Sequence, residues 1–160
     1  MAARGNVGAE SMRRELTIMR VFDAPRELVF SAWTDPERVA RWWGPRGFTT
    51  PVCEMDLRPG GAVRIVMRAP DGVEHSMRGV FREIIAPERL VCTFVAVDEE
   101  GGPLLEGLMT ITLAEHRGKT KLTLQTSAIG LVTRAAVMLE GMEEGWGQSL
   151  DRLAEFLVNA

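Results

Sequence analysis

The residues of this chain best placed to do chemistry are three carboxylates, two histidines and two cysteines. Glu54, Asp56 and Glu83 fall in segments that read as strands. A carboxylate turned into a dry interior has a raised pKa and can act as a general acid or base. The competing reading is structural. Arg58, Arg64 or Arg82 lies near enough in sequence or pairing to neutralise each carboxylate and fix strand register, and this reading is favoured. His75, beside Glu74, and His116 read as solvated turn residues, since neither has a partner at metal-ligand or triad spacing. Cys53 and Cys92 stand apart from each other and from any metal-ligand spacing. They read as buried thiols of a cytoplasmic protein, with a disulfide as the alternative. No catalytic residue, metal site or cofactor is therefore assigned.

Recognition chemistry is better represented. Three of the four tryptophans lie in Trp33–Phe48, WTDPERVARWWGPRGF, in a chain without tyrosine. Trp43, Phe48, Met67, Phe94, Met109, Met142 and Trp146 form a candidate wall for an apolar pocket. Methionine adapts to irregular shapes, and such a lining suits a hydrophobic or aromatic ligand. The alternative is a filled core in which the same residues touch one another.

These residues need a frame. Glu15–Phe22 alternates as a first strand, with Leu16, Ile18, Arg20 and Phe22 on one face. Asp23-Ala24-Pro25 predicts a helix start, with Asp23 as cap. Leu28, Val29 and Ala32 give that helix its apolar stripe, and Thr34-Asp35-Pro36-Glu37 starts a second short helix that Gly44-Pro45 ends. Strands follow over Pro51–Leu57, Ala62–Arg68, Ser76–Ile85, Leu90–Ala96, Leu105–Leu113 and Lys121–Ser127. Short turns between them imply an antiparallel meander. The glycine pairs in Pro59-Gly60-Gly61 and Glu100-Gly101-Gly102 precede no helix, so they are hairpin turns rather than phosphate loops. One long helix is predicted over Val132–Val158, its stripe formed by Ala135, Leu139, Met142, Trp146, Leu150, Leu153 and Leu157. Gly141, Gly145 and Gly147 are costly there and suggest a close approach or a bend beside Trp146.

The predicted fold class is α+β: a curved antiparallel sheet of six to seven strands wrapped around a long C-terminal helix, with two short helices after the first strand. Residues 1–14 read as a flexible arm, with Met12 a second candidate start, and 15–158 as a single domain. A net charge of −3 with scattered basic residues argues against nucleic-acid and anionic-membrane surfaces. No apolar run reaches the length of a membrane span.

The ordered set Ala24-Pro25, Val29, Trp33, Asp35-Pro36-Glu37, Trp42-Trp43-Gly44-Pro45, Phe48, Pro51, Glu54, Asp56 and Arg58-Pro59-Gly60-Gly61 resembles a known family. Met67, Asp71-Gly72, Gly79, Glu83-Ile84, Pro87-Glu88-Arg89-Leu90, Gly145-Trp146 and Leu150–Leu153 continue it. The chain is similar to the branch named for the activator of heat shock protein 90 ATPase, C-terminal domain, within the START-like (SRPBCC, helix-grip) superfamily. The resemblance implies the helix-grip fold and a cavity between sheet and C-terminal helix holding a small hydrophobic ligand. It also implies two alternatives: a cyclase- or hydrolase-like enzyme using an inward carboxylate, or a co-chaperone-like stress-response protein. The chain lacks the separate N-terminal domain of the eukaryotic co-chaperones, so a chaperone partner is not expected from the name alone. A homodimer through a long sheet edge stays open.

Overall fold

The computed structural model describes residues 12–159. Strand β1 (Arg13–Phe22) is followed by helices α1 (Arg26–Thr34) and α2 (Pro36–Trp42). Strands β2 (Thr49–Met55), β3 (Ala62–Arg68), β4 (Glu74–Ile85), β5 (Arg89–Val97), β6 (Pro103–His116) and β7 (Lys119–Gly130) come next. Helices α3 (Ala135–Glu140) and α4 (Met142–Val158) close the chain. The seven strands form one antiparallel sheet in the order β1-β7-β6-β5-β4-β3-β2. β1 starts at Arg13, so the strand takes in Arg13 and Arg14 from the expected arm; residues 1–11 lie outside the described residues.

The period-2 pattern of each strand decides which side is buried. In β1, Leu16 and Phe22 are buried while Met19 and Val21 face outward. Val63 and Ile65 of β3, Ile111 and Leu113 of β6, and Leu122 and Leu124 of β7 face the same core. Against this concave surface lie Val29 and Trp33 of α1, Val39 and Trp42 of α2, and Leu150, Leu153 and Leu157 of α4. This is the α+β helix-grip arrangement expected from the sequence.

Four local expectations are corrected. Helix α1 is capped by Pro25 in extended conformation, with no side-chain cap, so Asp23 does not play that role. Asp35 does cap α2, accepting from the Glu37 amide. β6 and β7 run on to His116 and Lys119, joined by Arg117-Gly118 with φ of 53° and 81°. Positive φ at both central residues is the tight hairpin geometry that matches strand twist, so His116 ends a strand rather than sitting in a loop. β2 begins at Thr49 and ends at Met55, and its ladder slips between Thr49 and Val52. Pro51 falls in that slip, on an edge strand, where a missing N–H costs no ladder bond.

The fourth correction concerns the C-terminal helix. It is not continuous from Val132: α3 ends at Glu140 and α4 starts at Met142, with Gly141 between them. The two pieces serve different packing surfaces. Ala135 and Leu139 of α3 pack with Leu105 and Ala128 in a small second cluster, whereas the leucines of α4 enter the main core. Glycine favours the helix weakly, and the break falls at Gly141, where the two packing surfaces diverge. α4 is still 17 residues long.

Candidate functional site

All four tryptophans meet where α1, α2 and α4 converge. Trp33 lies edge-on to Trp42 at 4.6 Å and stacks on Trp146 at 6.1 Å, and Trp43 is edge-on to Trp146 at 5.4 Å. Quadrupole-favoured geometries of this kind add to simple burial. Trp42 donates its Nε1 hydrogen to the Ala32 carbonyl at 2.9 Å. It thereby satisfies a carbonyl in the last turn of α1 that has no intrahelical partner. Trp33 and Trp42 thus bind the two short helices together, while Trp43 and Trp146 form a second surface behind them.

That second surface is one wall of a cavity of about 290 Å³ between the sheet and the C-terminal helices. Trp43, Phe48, Met67, Phe94, Met109, Met142 and Trp146, the residues singled out from sequence, all line it. The lining also includes Met77 and Met138, bringing the methionines to five of the nine in the chain. Strand register explains the floor: Met77, Ala96 and Leu105 face one another across β4, β5 and β6, and Phe94 stands opposite Gly107. A Cβ at Gly107 would meet the Phe94 ring at 2.6 Å. The bare glycine therefore lets that ring lie toward β6.

The mouth is built by Trp43-Gly44-Pro45 and Phe48. Gly44 adopts φ of 95°, and a Cβ there would come within 3.0 Å of Met67 Sδ. Arg152 of α4 fastens this loop by donating from Nη1 to the carbonyls of Trp43, Gly44 and Pro45 at 3.0, 2.9 and 3.1 Å. Nη2 also donates to the Arg41 carbonyl in the last turn of α2 at 3.4 Å, and a cation is well placed at that end of the helix, the negative pole of its dipole. Burial, then the nearby Arg46, push the Arg152 guanidinium below its usual range, and Glu155 opposes them. Arg46 adds an ion pair to Glu155, and its backbone N–H donates a hydrogen bond to Gln148 Oε1 at 3.0 Å. Hydrogen bonding from Arg46 holds the Glu155 carboxyl below the usual range.

No carboxylate lines the cavity among the described residues. Glu54 pairs with Arg64 at 3.5 Å, Asp56 with Arg58 at 2.7 Å and Glu83 with Arg89 at 3.0 Å, all in solvent-accessible positions. Glu83 thus takes Arg89 rather than Arg82. Cys53 is half-buried, Cys92 is buried and both are free. Burial pushes each thiol up to about 11, with Asp35 and Glu54 adding to the effect at Cys53. Thiols so protonated at neutral pH are poor nucleophiles. No group of three or more His, Cys, Asp or Glu able to hold a metal occurs among the described residues.

Besides Met77, Met138, Ala96 and Leu105, the lining residue with a titratable side chain that sequence reasoning missed is His75. It lies within β4, paired with Met67, and its ring sits 6.0 Å from that of Phe48. The available signal was its alternation with Met77, which puts both on one strand face.

A curved antiparallel sheet closed by a C-terminal helix, with an apolar cavity between, defines a START-like helix-grip protein. The chain belongs to the family described as activator of Hsp90 ATPase homolog 1-like protein, whose model matches residues 23–158. A crystal structure of a Chromobacterium violaceum protein is similar at 31% identity, with TM-score 0.79, covering 90% of this chain and 96% of that one. The AHSA1 protein of Silicibacter pomeroyi is 26% identical with TM-score 0.75, over 90% of this chain and 97% of the other. An Arthrobacter aurescens protein solved by NMR is 26% identical with TM-score 0.77, over 94% and 88%. No curated protein matches the chain. No helix among the described residues is long and apolar enough to cross a membrane.

Proposed function

We propose that this protein binds a small hydrophobic or aromatic molecule between its sheet and C-terminal helices, without transforming it. The observation that carries the reading is the cavity of about 290 Å³, walled by five methionines with Trp43, Phe48, Phe94 and Trp146. An apolar site of this kind gains from expelling water and from sulfur–aromatic contact. A binding role without turnover is favoured because Glu54, Asp56 and Glu83 are each paired with arginine at accessible positions. Both cysteines are held protonated.

The test is native mass spectrometry of gently purified protein, joined to thermal-shift screening of apolar compounds. Retained small-molecule mass, or a rise in melting temperature that Ala96→Phe abolishes, is the expected result. Ala96 lines the floor, so a phenyl group there fills the space. A rise that persists in Ala96→Phe, or no ligand from any apolar class, refutes the proposal.

A further inference from the structure

The polar atoms of the cavity lining are unevenly committed. Thr93 Oγ1 already accepts from the Val80 amide at 3.0 Å, and Cys92 donates to the Thr93 carbonyl at 3.1 Å. Ser76 alternates with Met77 along β4, so its side chain belongs to the opposite face of the sheet. Ser149 is buried on α4. His75 is the exposed polar side chain of the lining, at the rim and against Phe48. The neighbouring Glu74 carboxylate is held by Arg68 through Nε and Nη2 at 3.2 and 2.7 Å. Glu74 and Arg68 pair on the opposite face of the sheet from His75 and Met67, so a negative or electron-rich group approaching His75 does not face that carboxylate.

Size narrows the occupant. An apolar cavity of about 150 Å³ holds one benzene ring, so about 290 Å³ corresponds to two fused rings. Shape and chemistry agree with rings rather than a flexible chain. The walls carry indole and phenyl faces from Trp43, Trp146, Phe48 and Phe94 and thioethers from five methionines. Both prefer the edges and faces of aromatic partners.

We infer that His75 is a specificity-determining residue for this cavity. The site takes a flat two-ring molecule bearing one hydrogen-bond-accepting or anionic substituent, its rings among the methionines and its substituent at the His75 imidazole. This rests on the binding function proposed above and adds the ligand's class and orientation.

Isothermal titration of the full chain with 2-naphthoate, naphthalene and decanoate tests it, alongside His75→Phe and His75→Gln. One hydrogen bond to a charged group amounts to about tenfold in affinity. The expected pattern is 2-naphthoate about tenfold tighter than naphthalene on the native protein. That advantage should vanish in His75→Phe and survive in part in His75→Gln, with naphthalene unchanged in all three. Position 75 is exposed, and far-UV circular dichroism verifies that each variant is folded. An unchanged naphthoate-to-naphthalene ratio in His75→Phe overturns the role of His75 while leaving an apolar site in place. Tighter binding of decanoate than of 2-naphthoate overturns the two-ring class. Absence of binding by all three probes overturns the His75 inference. If apolar compounds at large also fail in the thermal-shift screen, the binding function falls with it.

Discussion

Replacing Trp42 by alanine is the sharpest test of how the mouth of the cavity is held. The ring is wholly buried (0% exposed) and lies edge-on to Trp33 at 4.6 Å. Truncating a buried tryptophan costs about 3–5 kcal/mol, through lost transfer energy and the void left behind. The Ala32 carbonyl, 2.9 Å from Nε1, also loses its partner, adding about 1 kcal/mol. The sum, about 4–6 kcal/mol, is a large part of the 5–15 kcal/mol typical of a whole domain. At about 2–4 °C per kcal/mol for a domain this size, the melting temperature should fall by roughly 10–20 °C. Trp42→Phe keeps the ring contact but removes the donor, and should cost about 2 kcal/mol. Trp43→Ala provides the contrast. Trp43 is only 8% exposed, but it borders space that is already empty, and Met67 and Met142 can relax into the gap. Its loss should cost nearer 3 kcal/mol and weaken apolar ligand binding. Urea unfolding should be followed by far-UV circular dichroism, because tryptophan fluorescence changes with the substitution itself; the slope must stay constant. Equal destabilisation by Trp42→Ala and Trp43→Ala would refute the division of labour, as would a Trp42→Phe variant as stable as the native protein.

Three further outcomes are expected. Arg152→Ala leaves three carbonyls of the mouth loop without their donor and should cost about 2 kcal/mol, with Arg152→Lys restoring only part; urea unfolding measures both. Glu155 has a depressed folded-state pKa, so its pairing with Arg46 contributes above the ordinary carboxylate range and is lost as pH falls through the depressed value. The small difference in melting temperature between native protein and Glu155→Gln should therefore close in acid, and a difference that widens there would contradict the pairing. Cys53 and Cys92, pushed up to about 11, should react with a disulfide reagent at pH 8 far more slowly than after unfolding. Stability should also fall as pH rises past the ordinary thiol range of about 8.5, because the unfolded chain releases those protons first.

How much of this was legible in advance depended on the range of the interaction. Alternation of Val63, Ile65 and Met67, the Asp35-Pro36 start of α2 and the Gly44-Pro45 stop are local signals, and each produced the element it predicted. The helix over Val132–Val158 failed at Gly141 because periodicity registers an apolar stripe without saying which surface receives it. Ala135 and Leu139 face one cluster, Leu150 and Leu153 another, and the backbone breaks between them. His75 was passed over because its sequence neighbours are Glu74 and Ser76, whereas its spatial neighbours are Met67 and Phe48. Glu83 was set beside Arg82 in sequence but pairs with Arg89. Adjacent strand residues point to opposite faces, so the cross-strand arginine is the nearer one.

By itself, then, the sequence determined the order of strands and short helices and the antiparallel meander, which follow from composition and short-range spacing. The family came from the resemblance of an ordered set of residues to a known one. Only the tertiary structure decided that Trp43, Met67, Met109 and Trp146 surround empty space rather than one another. That outcome depends on where Phe94 lies over Gly107 and on how Arg152 fastens the loop after α2. A cavity is the volume left over when distant segments have packed, and no local pattern encodes a remainder.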